Sequence, residues 1–245
     1  ATHFNNRGDT EMRKPFLIVE GFDRGAVNEA NPFVSPVHEV IGPFGFGNFH
    51  VASFVTGEYV DNTDHLGLSR VFVDSLLQRG YDVIFADFYT NGATVQQNAK
   101  ALIDLIGKIQ NRLDQSGSQE EIQGIGVSMG GLVLRVALRE IEMTGCCHRF
   151  SMYGSLSSPH KGAHIPLSLQ FFIDGASNGV IDLPESFRKT PTDIRVNVME
   201  CPVAKQMLVQ QINPTNQAAN HHFQQYLDSI GLPVQTFNIG MTNKL

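Results

Sequence analysis

The chain has 245 residues, 42% of them hydrophobic and 17% charged, so it can bury a sizeable core without disulfide or metal staples and is too apolar to be disordered. Its formal net charge of −6, from 18 basic and 24 acidic residues, argues against a nucleic-acid binder. Three cysteines, including the neighbours Cys146 and Cys147, exclude a disulfide-stapled scaffold, and no apolar run approaches the ~20 residues that span a bilayer.

Residues 1–14 are polar and aperiodic and read as an N-terminal arm. The chain starts on Ala1, as expected of a mature secreted form or an excised fragment. Pro15 introduces Phe16-Leu17-Ile18-Val19, a short apolar run suited to a strand covered on both faces. Residues 21–50, rich in Gly, Pro, Asn and Phe (Phe44, Phe46, Phe49), read as a long loop, and 51–60 as a minor strand. Leu66 to Arg79 carries helical spacing at Leu68, Val71, Phe72, Leu76 and Leu77, with Gly80 as its stop. Tyr81 to Asp87 is a second buried strand. Val95, Ala99, Leu102, Ile106, Ile109 and Leu113 form the clearest helical stripe. Glu121 to Val127 is a third strand, Met129 to Glu142 a helix with Leu132, Val133, Val136 and Ala137 on one face, and Phe150 to Leu156 a fourth strand.

Strand and helix thus alternate four times, which predicts an α/β fold with a doubly wound, mostly parallel sheet over 15–162. Residues 163–232, with many Gln, Asn and Pro, break the rhythm and read as an inserted, mostly helical cap. Residues 233–245 begin with a further core strand, 233–240.

The strongest chemical signal is Gly126-Val127-Ser128-Met129-Gly130-Gly131, placed where a buried strand turns into a helix. In such a turn the serine is strained, its hydroxyl stands above the strand ends, and small neighbours let strand and helix pass close by. Read otherwise, it is a glycine-rich turn with an inert serine. It lacks the Gly-Lys-Ser/Thr ending of a phosphate loop, and no dinucleotide fingerprint occurs elsewhere.

This pattern resembles the α/β-hydrolase family, more narrowly its lipase-like esterases, over about residues 15–170. A second anchor is Phe16-Leu17-Ile18-Val19-Glu20-Gly21-Phe22-Asp23, where lipases usually place His-Gly and this chain has Glu20-Gly21. The resemblance implies an oxyanion hole from the backbone amides of Phe22 and Met129. Glu20 is either a buried acid fixing the loop or a strand-end carboxylate in solvent. A third anchor, Ser157-Ser158-Pro159-His160-Lys161-Gly162-Ala163, makes His160 a pocket candidate and not the general base; His164 is read as a rim residue. His160 and His164 are four apart, but Gly162 and Pro166 oppose a helix there, so no metal site is expected.

The family's chain order is Ser, acid, His. Only Met241-Thr242-Asn243-Lys244-Leu245 follow the last strand, without acid or His, so both partners of Ser128 are expected beyond residue 245, in a longer protein. The competing source is the cap, with His221 or His222 oriented by Asp174, Asp182 or Asp193. Asp87, at a strand end, reads as a loop-capping acid.

The expected function is a serine esterase or lipase that forms an acyl-enzyme on Ser128, without cofactor or metal, acting on small-molecule or lipid esters in a secreted or cell-surface setting. Leu167, Leu169, Phe171, Phe172 and the Phe-rich loop at 44–49 are read either as an acyl-chain site or as ordinary cap packing. The alternative is a hydrolase-like domain that serves a larger assembly as a non-catalytic binding or structural module.

Overall fold

The computed structural model describes residues 2–5, 7, 9, 11–22, 67–88, 92–181, 195 and 199–242. Expectations for residues 23–50, including Phe44, Phe46 and Phe49, for the minor strand at 51–60 and for Asp182 and Asp193 fall outside them.

Two apolar runs, β2 (Pro15–Val19) and β3 (Asp82–Ala86), are buried at every position. Their alternating side chains serve two cores. Leu17, Val19, Ile84 and Ala86 point to one, and Phe16, Ile18, Val83 and Phe85 to the other. This two-sided burial explains why both strands read as continuous apolar runs. The register sets Phe16 beside Val83 and Val19 beside Ala86, in parallel.

On the second core's face lies helix α1 (Gly67–Gln78), which packs Val73 and Leu76 against Phe16 and Val83. Phe72 is 44% exposed and meets the Phe16 ring edge-on. Helix α2 (Val95–Gln115) covers the opposite face, and all six residues of its expected stripe are buried. Thr94 starts it with a capping box, its hydroxyl accepting from the Gln97 amide and the Gln97 side chain accepting from the Thr94 amide. Strand β4 (Ile122–Val127) pairs with β2, and β5 (Phe150–Leu156) pairs with β4, both parallel. Between them runs α3 (Met129–Met143), buried without interruption from Met129 to Leu138. Such all-round burial follows from its place between α2, the sheet and the helices that come after β5.

The region expected as a cap contains α4 (Leu167–Ser177), α5 (Pro202–Met207) and α6 (Gln217–Ile230). Only α4 stands apart, in a small cluster of Ile173 and Met199 with Leu169 and Ile212. Val203, Met207, Phe223, Leu227 and Ile230 of α5 and α6 belong to the main core, so these two helices are layers of the central fold. Strand β6 (Phe237–Met241) adds in parallel to β5, a few residues later than the expected 233–240.

The arm expected over 1–14 is tied to the sheet. Its β1 (Thr2–Phe4) lies antiparallel to β3, giving the order β1-β3-β2-β4-β5-β6. A carboxylate that follows the turn at Gly80 supplies the tie, and no hydrophobic period announces it. Asp82 is fully buried and accepts from the amides of Arg13 (2.7 Å) and Lys14 (2.9 Å), from Arg7 Nη2 (2.6 Å) and from His3 Nε2 (3.1 Å). Burial alone would push its carboxyl up; these donors more than reverse that and hold it below the ordinary carboxylate range. Among the described residues no helix is long and apolar enough to cross a membrane.

A depressed carboxyl stabilises the fold above the unfolded-state value of about 4, and that stability drains away as pH falls through the folded value. Asp82→Ala, which strands buried donors, should cost about 3–5 kcal/mol by urea unfolding at pH 7. The gap between variant and parent should narrow as pH drops below about 4. A variant as stable as the parent at pH 7 contradicts the anchoring role.

Candidate active site

From β2 the chain goes outward to β3 on one side, then returns to β4 on the other. The strand order therefore reverses between β2 and β4, and in open α/β sheets the crevice beyond the carboxyl ends of such strands is where ligands bind. Glu20, Gly21 and Phe22 leave β2 there, and Val127-Ser128 leaves β4 beside them.

Ser128 is the N-cap of α3 with φ 52° and ψ −120°, a left-handed conformation uncommon for a residue with a side chain. The surroundings enforce it. Its amide donates to the Leu156 carbonyl at the end of β5 (2.8 Å), and its carbonyl accepts from the Gly131 amide (3.2 Å). A Cβ on Gly126 would sit 2.3 Å from the Gly131 nitrogen, and one on Gly130 would sit 2.2 Å from the Glu20 carbonyl oxygen. One on Gly131 would meet Ser158 Oγ at 2.0 Å. At Gly126 and Gly130 the obstructing atoms are backbone, so glycine is required there, whereas at Gly131 the Ser158 side chain would have to move. On the β2 side, a Cβ on Gly21 would lie 3.2 Å from the Ser128 Cβ. The exit of β2 is thus in contact with the serine, which is itself partly exposed. Met129 is fully buried and supplies the first amide of α3, one of those that a helix leaves without an intrahelical acceptor. Phe22 is half-buried and packs against the main core.

Under the elbow lies a polar cluster. Tyr153 Oη donates to the Gly131 carbonyl (2.7 Å), and burial raises the phenol to about 12. His160 Nε2 meets Ser155 Oγ at 2.7 Å, and its Nδ1 meets Arg135 Nη1 at 3.4 Å. A guanidinium only donates, so Nδ1 accepts and the imidazole proton sits on Nε2, donated to Ser155. Burial, aided by the Arg135 charge, lowers His160 to about 4. With both nitrogens engaged, His160 is not disposed to take a proton from Ser128.

Sequence reading passed over Arg135, a lone cation between Leu134 and Val136. It is 7% exposed, and its Nη2 and Nε donate to the carbonyls of Leu227 (2.6 Å) and Gly231 (2.9 Å) at the end of α6. Arg139, one turn on, donates to the Ile230 carbonyl. Both cations sit where a helix C-terminus favours positive charge.

Among the described residues, His221, His222 and Asp174 make no hydrogen bond to the serine. His221 and His222 lie exposed on α6, and His222 lines an open pocket with Thr94, Lys205 and Gln206 that does not include Ser128. Asp174 is on α4, where its side chain accepts from Asn178. His164 is exposed. No described residue hydrogen-bonds the Ser128 hydroxyl; its cap position makes no side-chain bond. Among the described residues no group of three His, Cys, Asp or Glu converges as a metal site, and Cys146, Cys147 and Cys201 form no disulfide. Leu167 (37%), Phe171 (61%) and Phe172 (38%) are exposed on α4, so core packing does not account for them, whereas Leu169 joins the small cluster.

Because His160 titrates near 4 when folded and at 6.5 when unfolded, the unfolded chain takes up the proton first as pH falls through that window, and the residue then subtracts from stability. Nitrogen NMR of the His160 ring should show the neutral Nε2–H tautomer at pH ~6 and protonation only near pH 4. A ring already charged at pH ~6 contradicts the assignment.

No protein-family model and no curated protein matches the sequence. In structure the chain is similar to Bacillus licheniformis lipase BlEst2 in propeptide form, at 14% identity and a TM-score of 0.48 over 98% of this chain and 38% of that one. The mature form of the same lipase gives 13%, 0.42, 99% and 90%, and the metagenomic carboxyl esterase MGS0156 gives 11%, 0.42, 95% and 50%. The chain therefore spans well under two thirds of the propeptide form of the lipase and of the esterase, and most of the lipase's mature form. The likeness is one of fold, and the site rests on its own geometry. The strand order, the helices on both faces and the glycine-lined turn at Ser128 give this chain the α/β-hydrolase fold.

Proposed function

We propose that the protein is a serine hydrolase of carboxylic esters, with Ser128 as nucleophile. The observation that carries this reading is the backbone of Ser128: a left-handed serine, partly exposed, at the end of a central strand and the start of a buried helix, at the point where strand order reverses. Strain of this kind persists where function needs it and the surroundings over-determine it.

In this reading Ser128 Oγ attacks the ester carbonyl carbon while its proton passes to a general base. The amides of Phe22 and Met129 receive the carbonyl oxygen as it becomes an oxyanion, a contribution of about 3 kcal/mol for each donor of this type. The C–O bond to the alcohol breaks, the base returns the proton to the leaving oxygen, and the acyl group remains on Ser128. Water then attacks the acyl carbon, giving its proton to the base, and the carboxylic acid departs as Ser128 regains a proton. The base and the acid that orients it act from outside the described residues, since neither His160 nor the α6 histidines are placed for it. The exposed Leu167, Phe171 and Phe172 support an acyl or lipid ester over a polar one.

The lack of any described hydrogen bond to the Ser128 hydroxyl favours a second reading, a hydrolase-like module used for binding. One experiment separates the two. A fluorophosphonate should label the protein at Ser128 and not label Ser128→Ala, and the substitution should cut p-nitrophenyl ester hydrolysis by at least about 10⁴-fold. An unlabelled parent, or a substituted protein with undiminished turnover, would falsify the catalytic reading.

A further inference from the structure

Glu20 is 1% exposed, at the exit of β2 next to Gly21 and Phe22. A buried carboxyl is costly unless hydrogen bonds satisfy it. Here Oε1 accepts from the backbone amide of Phe88, in the segment that leaves β3. The Glu20 amide donates to the Ala86 carbonyl (3.1 Å), extending the β2–β3 ladder one step past the strand. Its own carbonyl oxygen packs on the bare Cα of Gly130 in the first turn of α3. One residue is therefore held on two sides, by the exit of β3 through its side chain and amide, and by the serine-bearing helix through its carbonyl.

Two residues later comes Phe22, whose amide is one of the two oxyanion donors in the reading above. Gly21 between them has no side chain of its own to hold the path, and it passes within contact of Ser128. The path to the Phe22 amide is bounded by what anchors Glu20 on one side and by the packing of the Phe22 ring in the main core on the other. Phe22 and Phe88 pack against that same core, so the Glu20–Phe88 bond links the two exit loops over a common base.

We propose that Glu20 is a positioning residue for the oxyanion hole: its carboxyl clamps the exit of β2 to the exit of β3 and so aims the Phe22 amide at the point above Ser128. This rests on the reading of Ser128 and Phe22 given under the proposed function. The bond to the Phe88 amide needs an acceptor oxygen at the reach of a glutamate. Gln keeps both oxygen and reach, Asp keeps the charge and loses the reach by one methylene, and Leu keeps the bulk and loses the acceptor.

The four proteins, parent, Glu20→Gln, Glu20→Asp and Glu20→Leu, are compared in p-nitrophenyl ester turnover and in inhibition by phenylboronic acid, which adds to a serine to form a tetrahedral anion. Glu20→Asp and Glu20→Leu should lose about 100-fold in kcat, the size of one misdirected oxyanion donor, with KM changed by less than about threefold. Boronate affinity should fall in step with kcat, because both report binding of the tetrahedral state. Glu20→Gln should stay within about fivefold of the parent in both. Thermal unfolding of each variant shows which are folded, and where Glu20→Leu does not fold, the Gln and Asp pair decides. Glu20→Asp at parental turnover, or Glu20→Gln as impaired as Glu20→Asp, overturns the clamp. So does a loss that raises KM while leaving boronate affinity in place. Fluorophosphonate labelling separates the levels: a labelled parent with an unaffected Glu20→Asp defeats the clamp alone, whereas an unlabelled parent defeats the hydrolase reading and the clamp with it.

Discussion

Three missing methyl-sized groups organise this molecule. At Gly126 and Gly130 the end of β4, the start of α3 and the exit of β2 bring backbone atoms closer than a side chain permits, and at Gly131 the Ser158 side chain after β5 fills the same space. That approach forces the turn at Ser128 to close within one residue, and a residue that must reverse direction so sharply adopts φ 52° even though it carries a side chain. The strain is held by bonds from two directions, the Leu156 carbonyl of β5 and the Gly131 amide of α3. Neither strand nor helix can relax without opening a fully packed core that includes Met129, Leu132 and Val133.

The same buried helix explains why the later helices belong to the fold. α3 carries Arg135 and Arg139 on the side that meets α6, and their donors end on the carbonyls of Leu227, Ile230 and Gly231 in the last turn and cap of that helix. Glu142, the next group along, holds the following segment by accepting from the amides of Val234 and Gln235 at Oε1, where His148 also bonds, while Arg139 donates to Oε2. These contacts run from the serine's own helix to the strand that flanks β5. Through Arg135 they also reach His160, whose tautomer follows from a donor that has no acceptor capacity and whose neutrality follows from burial aided by that charge.

Much of the sheet was legible because two-sided burial leaves plain apolar runs at 16–19 and 83–86, and because the α2 stripe repeats at three and four residues over six positions. The serine turn was legible for a related reason: glycine on both sides of a serine between a strand and a helix is a steric signature. What escaped was carried by single polar side chains. Asp82 sits inside a strand where its burial reads like any other core position, so the arm it fastens looked loose. Arg135 interrupts an apolar helix by one residue, with no local clue that its partners lie more than ninety positions ahead. Glu20 could be read two ways, and only the approach of Phe88, 68 residues on, decides for the buried one. Long-range hydrogen bonds leave no period in a sequence, and these three residues all act through them.

The account stands or falls on where two amides point relative to one hydroxyl. A crystal structure of the protein after reaction with an alkyl phosphonate measures this directly. The phosphorus should be bonded to Ser128 Oγ, with its free oxygen about 3 Å from both the Phe22 and Met129 nitrogens. A phosphonyl oxygen turned to solvent, or bonded to neither amide, contradicts it.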